Sequence, residues 1–340
     1  MNAKQFLCVL LAITFFVVGC KPENPARSAV NNTPALQQSI QLSEPEKVIL
    51  ADPTINLERL GHITLAGNTL VATTNFSNTS RPISIDIGNG QVQGLQEPLR
   101  VALTGTSSVR YIPRRTSYEK DNHSVGELFL YDLQHGTEFQ IANNQPGLAS
   151  VAGNTVAWVG LGEGGWNIYA YDVTAQQTVT VTHGAGARAY PHISDSWVIY
   201  LDMGQEAILH AYNLATQEHL TLGPTAYPQY DSFRAGKHHL ISDGKVIWAD
   251  AATYDLHVFD LNTRATEVIT DPVTTCKPLY ELASMVGHTL LYTGCKGRAL
   301  YDLDRKANVD IPAGGGWIVM SESRVVWQEG NDLYTARIER

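Results

Sequence analysis

Two short phrases recur along this chain, and their recurrence restricts the fold more than any other feature. The first is an apolar run that ends near an aromatic: Leu70-Val71-Ala72, Val109-Arg110-Tyr111, Val156-Ala157-Trp158, Val198-Ile199-Tyr200, Val246-Ile247-Trp248, Leu290-Leu291-Tyr292 and Val325-Val326-Trp327. The second follows it: Ile85-Asp86-Ile87, Tyr131-Asp132-Leu133, Tyr171-Asp172-Val173, Tyr212-Asn213-Leu214, Phe259-Asp260-Leu261 and Tyr301-Asp302-Leu303, with a degraded copy at 333–338. Successive first phrases are 35 to 48 residues apart. A period of about 42 residues is the length of a four-stranded propeller blade.

The residues around the phrases favour strands. Gly67-Asn68, Gly153-Asn154, Asp243-Gly244 and Gly287-His288 precede first phrases, and such pairs tolerate the positive φ of a tight hairpin. The runs after them are apolar at consecutive positions, as in a strand covered on both faces of its sheet. Asp86, Asp132, Asp172, Asp260 and Asp302 close the second phrase, where an aspartate accepts a backbone N–H two residues on and fixes the turn. The seventh copy supplies only three strands. Residues 46–50, Glu-Lys-Val-Ile-Leu, are the natural fourth, pairing with 333–338 and covering an edge that would otherwise be open. The expected fold is all-β, a seven-bladed β-propeller of four-stranded antiparallel blades closed by an N-terminal strand. The phrases, with Tyr190-Pro191-His192-Ile193-Ser194 and Tyr227-Pro228 opening units, resemble the repeats of TolB-like propeller proteins of bacteria. That resemblance speaks to architecture, since propellers host binding, scaffolding and catalysis alike.

The N-terminus predicts an address. Lys4 precedes an apolar run at 6–19 that ends in Val17-Val18-Gly19 before Cys20, too short for the roughly 20 residues of a spanning helix. It resembles the lipobox of bacterial lipoproteins. The resemblance implies cleavage before Cys20, a signal peptide at 1–19, acylation (palmitate among the chains) and attachment of Cys20 to a lipid bilayer. Lys21 rather than Asp implies an outer membrane facing periplasm or cell surface where the cell has two membranes, and otherwise the outer face of the cell membrane. Residues 21–45 are rich in Asn, Gln, Ser and Pro, a composition expected of a flexible tether, which leaves 46–340 for the propeller.

Of 24 basic and 33 acidic residues, cleavage would remove only Lys4, taking the net charge from −9 to −10. An acidic surface argues against nucleic acid as a partner. Of the four cysteines, Cys8 leaves with the signal and Cys20 is acylated. Cys276 and Cys295 remain, and in an oxidising compartment they are expected to form a disulfide across the first hairpin of the sixth unit, the alternative being two free thiols.

Chemistry is sparse. No nucleophile elbow, zinc helix, CxxC pair or phosphate loop occurs, so no cofactor, metal or catalytic residue is expected. The glycines at 160, 162, 164 and 165 imitate a phosphate loop but lack the following helix that would hold an anion. His238, His239 and His192 could reach a central channel, without a full ligand set. Connections expected to be long, at 113–126, 161–166 and 271–278, collect Arg114, Arg115, Tyr118, Trp166, Tyr190, His192, Tyr227, Tyr230 and Tyr254 on one face. That mixture of aromatics and charge predicts a ligand face for an envelope protein or a cell-surface polymer. The alternative is an extracytoplasmic lyase or hydrolase acting on carbohydrate or peptide.

Overall fold

The computed structural model describes residues 40–76, 79–94, 110–120, 123–225, 239–253, 255–269, 281–294, 297–312 and 316–340. All fall in one compact unit, Gln38–Arg340. Among them every element is a strand except one turn of 3-10 helix at Leu57–Arg59.

β1 (Gln41–Leu42) and β2 (Glu46–Val48) come first. β3 (Leu60–Ala66), β4 (Thr69–Phe76), β5 (Thr79–Asp86) and β6 (Val92–Gly94) form a four-stranded sheet in chain order. A three-stranded sheet follows, built from β7 (Tyr111–Lys120), β8 (His123–Asp132) and β9 (Thr137–Ala142). The next sheet has eight strands: β10 (Ala149–Ala152), β11 (Thr155–Gly162), β12 (Gly165–Asp172), β13 (Gln177–Thr180), β14 (Gly186–Ser194), β15 (Trp197–Met203), β16 (Ala207–Asn213) and β17 (His219–Pro224). Then come two four-stranded sheets. The first holds β18 (His239–Ser242), β19 (Lys245–Ala249), β20 (Leu256–Asp260) and β21 (Thr266–Ile269); the second holds β22 (Glu281–Val286), β23 (Thr289–Gly294), β24 (Gly297–Asp302) and β25 (Ala307–Asp310). The last sheet joins β26 (Ile318–Met320), β27 (Arg324–Glu329) and β28 (Asp332–Glu339) to β1 and β2.

The repeat count predicts seven separate four-stranded sheets. The described residues instead form five sheets of four or more strands and one of three. The eight-stranded sheet arises because β12 and β14 touch in parallel over two residues, Gly165 opposite Gly186 and Trp166 opposite Ala187, which joins two antiparallel meanders. Apart from that contact, every strand pairing among the described residues is antiparallel, as the alternating phrases require.

One backbone hydrogen bond recurs seven times. The N–H of Ile87, Leu133, Val173, Leu214, Leu261, Leu303 and Ile338 donates to the carbonyl of Asn68, Arg110, Asn154, Ser196, Gly244, His288 and Ser323 respectively, at 2.7–2.9 Å. In six of the seven it ties the end of the third strand of a meander to the turn between the first two, and in the β7–β9 sheet it ties the residue after β8 to Arg110, just ahead of β7. The expected aspartate turns form beside it: Asp86, Asp132, Asp172, Asp260 and Asp302, with Asn213, each accept the N–H two residues on, at 2.7–2.9 Å.

The core lies between stacked sheets and, inside the eight-stranded sheet, between its two meanders. Leu130 and Tyr111 pack with Val156 and Trp158; Ile168 with Val198; Leu209 with Val246; Ile247 with Leu290; Leu300 with Val325; and Val326 and Leu333 with Leu70 and Ile85. These interfaces bury the first phrases at 156–158, 198–200, 246–248, 290–292 and 325–327 on both faces. Their aromatics stack on the next strand, Trp158 on Tyr169 with centroids 5.6 Å apart and Trp327 on Tyr334 at 5.8 Å, in the offset geometry such pairs prefer.

β2 pairs antiparallel with β28, Val48 opposite Leu333 and Glu46 opposite Thr335. β1 extends that pairing, with Gln41 opposite Glu339, and Ile40 is 1% exposed within the core. The fold therefore begins ahead of residue 46: Ile40 to Ser43, expected in the tether, are held by packing and by bonds between Ser43 and Arg337.

Candidate functional site

The turns between first and second strands, and those after the aspartates, lie at one end of the strands. This is the turn face. The β4–β5, β7–β8, β11–β12 and β15–β16 hairpins reach out at the other end. Two of the connections expected to be long loops are strands: 113–126 lies within the β7–β8 hairpin, whose register runs unbroken from Tyr111–Asp132 to Lys120–His123, and 161–166 is the closing end of β11–β12. The third, 271–278, is outside the described residues.

The β11–β12 hairpin carries the apolar projection of this face. Leu161 and Trp166 are cross-strand partners and are 42% and 40% exposed. Gly164 and Gly165 close the turn; φ at Gly164 is +82°, and a Cβ on Gly165 would stand 2.4 Å from the Gly186 carbonyl oxygen. Those glycines serve backbone contact, which accounts for the imitation of a phosphate loop. Arg188, which follows Ala187 opposite Trp166, directs Nε toward Asp202 Oδ2 at 3.5 Å and donates Nη1–H to the Gly184 carbonyl at 3.2 Å. An aromatic–aliphatic pair beside a fixed ion pair suits a partner presenting an apolar edge and a hydrogen-bonding rim.

Other expected site residues are distributed differently. Arg114 donates both Nε–H and Nη2–H to Glu138 and lies over the Phe129 ring at 4.4 Å, so it braces its own sheet. Arg115 is exposed. Tyr118 is in β7, opposite Val125. Tyr190 and His192 are buried, at 9% and 8% exposure. They leave the rim because the pairing of β14 with β15 slips between Ala189 and His192, a bulge at Pro191, and Tyr190 adopts φ +52°. Proline has no N–H for the ladder and sits in strands mainly at such bulges; the kink turns Tyr190 into the core beside Trp197 and Trp248. Cys20, Tyr227, Tyr230, Tyr254, His238, Cys276 and Cys295 lie outside the described residues. His239 pairs with Trp248 along the backbone.

Across β15, β16 and β17, the Tyr200 hydroxyl and His219 Nε2 share a hydrogen bond at 2.6 Å, and His210 stacks on His219 at 5.0 Å. Burial and the neighbouring His219 push the His210 imidazole below its ordinary range, while burial pushes the Tyr200 phenol up. Both shifts favour the neutral forms of His210 and Tyr200 near pH 7. Among the described residues no group of three or more His, Cys, Asp or Glu could hold a metal ion. Among them, too, no helix is long and apolar enough to cross a membrane.

Sequence reasoning missed Leu161 and Arg188 beside Trp166. Leu161 ends an apolar run like any core residue, and only the outgrowth of its hairpin exposes it.

No family model matches the chain, and no curated protein does. Solved structures match over most of its length. The β-propeller domain of the Trilobed protease from Pyrococcus furiosus, described with an open velcro topology, aligns at TM-score 0.56 and 10% identity over 82% of this chain and 96% of that one. Oligogalacturonate lyase from Vibrio parahaemolyticus aligns at TM-score 0.56 and 10% identity over 88% and 98%. TolB from Acinetobacter baumannii aligns at TM-score 0.38 and 14% identity over 89% and 64%, too loosely to carry an argument. The fold is therefore an all-β propeller. Likeness at such identity speaks to fold alone.

Proposed function

We propose that the protein is a lipid-anchored extracytoplasmic propeller of seven units that acts as a binding module for an envelope protein or cell-surface polymer. Seven copies of the turn-tying hydrogen bond support the count, the eight-stranded sheet being two units joined at Gly165 and Gly186. The Val17-Val18-Gly19-Cys20 motif supports acylation of Cys20. The disulfide between Cys276 and Cys295 belongs to the same reading.

The observation that carries the binding role is the exposed Leu161–Trp166 pair on the face opposite the chain's entry. β1 meets β28 at Glu339, on the turn face, and β2 continues toward Leu333. A tether ending there would hold the turn face toward the membrane and present Trp166 outward. Capture of membrane partners by cross-linking, using the full chain and a Trp166→Ala, Leu161→Ser variant, tests this. Loss of the captured species with unchanged melting supports the module. Undiminished capture, or turnover of a glycan or peptide panel that depends on added manganese or zinc, would favour an enzyme instead.

A further inference from the structure

We propose that β17 is an acid-released strand, held on its sheet near neutral pH by a stack of three rings that protonation breaks. β15, β16 and β17 contribute one ring each, Tyr200, His210 and His219. The two imidazoles lie 5.0 Å apart and 17° from parallel, and the Tyr200 ring lies 5.4 Å from His210 and 6.1 Å from His219. Hydrogen bonds tie the stack to β17 at both histidines. The Tyr200 hydroxyl is 2.6 Å from His219 Nε2, His210 Nδ1 is 3.3 Å from Thr221 Oγ1, and the His210 ring also bonds to the Leu220 backbone.

β17 has little else to hold its middle. It ends the strand order of its sheet, with β16 on one side, and none of its residues is fully buried. Its pairing with β16 also slips between Leu209 and His210, so the backbone ladder is interrupted beside the stack. The flanks are fixed separately. Arg264 donates Nη2–H to Glu218 at 2.6 Å, just before β17, and Thr225, just after it, donates its N–H to the Ala207 carbonyl at 2.9 Å and its hydroxyl to the Ala249 carbonyl at 3.1 Å. Breaking the stack therefore bows residues 219–224 outward between two pinned ends, a local opening rather than global unfolding.

The charges around the stack set the sign. Arg188 reaches it from β14, Asp202 from β15 and His219 from β17, and Tyr212 of β16 faces Tyr200. The neighbouring meander offers Tyr200 only the apolar Ala157, Val159, Ile168, Ala170 and Val181 within their shared core cluster. Burial comes first, then His219, in disfavouring a charge on His210; Arg188 adds to them, and Asp202 and the Leu220 bond oppose without reversing the balance. Once β17 bows out, His210 meets water and regains its ordinary value near 6.5. The open strand then takes up a proton that the closed one refuses. Closure is at full strength above about pH 6.5 and weakens as pH falls below it, by at most about tenfold per pH unit for one proton.

The test is amide hydrogen exchange of the full chain in non-ionic detergent, read by mass spectrometry at pH 7.5 and pH 5 and corrected for the intrinsic rate. β13 is the internal control, since neither it nor its partner β12 contains a histidine. Protection of β17 is expected to fall about fivefold or more relative to β13 on acidification. His210→Phe keeps a ring on Tyr200 but cannot titrate, so it should abolish that relative fall. Parallel changes in β17 and β13, or a His210→Phe chain that keeps the wild-type pH dependence, would overturn the proposal. A second measurement needs no variant: exchange of the His210 C2 hydrogen across the same pH range should give a midpoint below about 6.5. A midpoint at or above that value would overturn it as well.

Discussion

Each aspartate turn ends on a residue in the left-handed region, and few of those residues are glycine. Four positions after Asp86, Asp132, Asp172, Asn213, Asp260 and Asp302 stand Gly90, Gly136, Gln176, Gln217, Arg264 and Lys306, with φ between +53° and +70°. A side chain there costs about 1–2 kcal/mol, set against glycine's own entropic cost of about 0.5–1 kcal/mol. Gln176→Gly and Gln217→Gly should therefore each stabilise by roughly 0.5 kcal/mol, whereas Arg264→Gly should gain less, since Arg264 also donates to Glu218 and lies over Trp197. Chemical denaturation of the three variants checks the order. Asp132 makes the turns sensitive to acid. Burial opposes its charge, but hydrogen bonds from Arg110 and His135 and from the N–H groups of Gln134 and His135 outweigh it and hold the carboxyl well below the usual range. A depressed carboxylate stabilises the fold above its unfolded value near pH 4, and that contribution is lost as pH falls further. The gap in melting temperature between wild type and Asp132→Asn should narrow from pH 6 to pH 3.

At the level of elements, the pairing of β1 and β2 with β28 joins the two ends of the folded unit. It covers the outer edge of β28 and buries Val48 and Ile40 on opposite sides of the same sheet. Deleting 40–48 should lower the melting temperature of the whole domain, because both flanking interfaces lose core residues, while deleting 22–37 should leave it unchanged. Differential scanning calorimetry separates the outcomes, and an unshifted transition in the 40–48 deletion would contradict the closure. The first phrases invite a parallel test. Trp158 is 1% exposed and stacked on Tyr169, so Trp158→Ala should cost about 3–5 kcal/mol, whereas Trp166→Ala, one strand away, should change stability by less than about 0.5 kcal/mol.

At the scale of the folded unit, the two ends of the strands are unlike. Compact aspartate turns occupy one, and projecting hairpins the other. If the anchored binding module is the right reading, Cys20→Ser should release the protein from membranes without altering its melting temperature, and Trp166→Ala should weaken partner capture without releasing it. Detergent partitioning and cross-linking score the two effects independently. Arg114→Ala should behave in the opposite sense, lowering stability through Glu138 and Phe129 with no direct effect on a partner.

The sequence alone determined the strand class, the repeat, the aspartate turns and the closing strand, because each depends on chemistry within a few residues: alternation, an Asx acceptor, a glycine with positive φ, an apolar strand with no other neighbour. It also marked Trp166. Tertiary structure decided the rest. Tyr190 and His192 read as rim residues by their place near a unit's start, but the bulge at Pro191 buried them. Arg114 read as a site cation and was taken up by Glu138, six residues beyond the hairpin that carries it. Ile40 read as tether and became core because β28 had an edge left to cover.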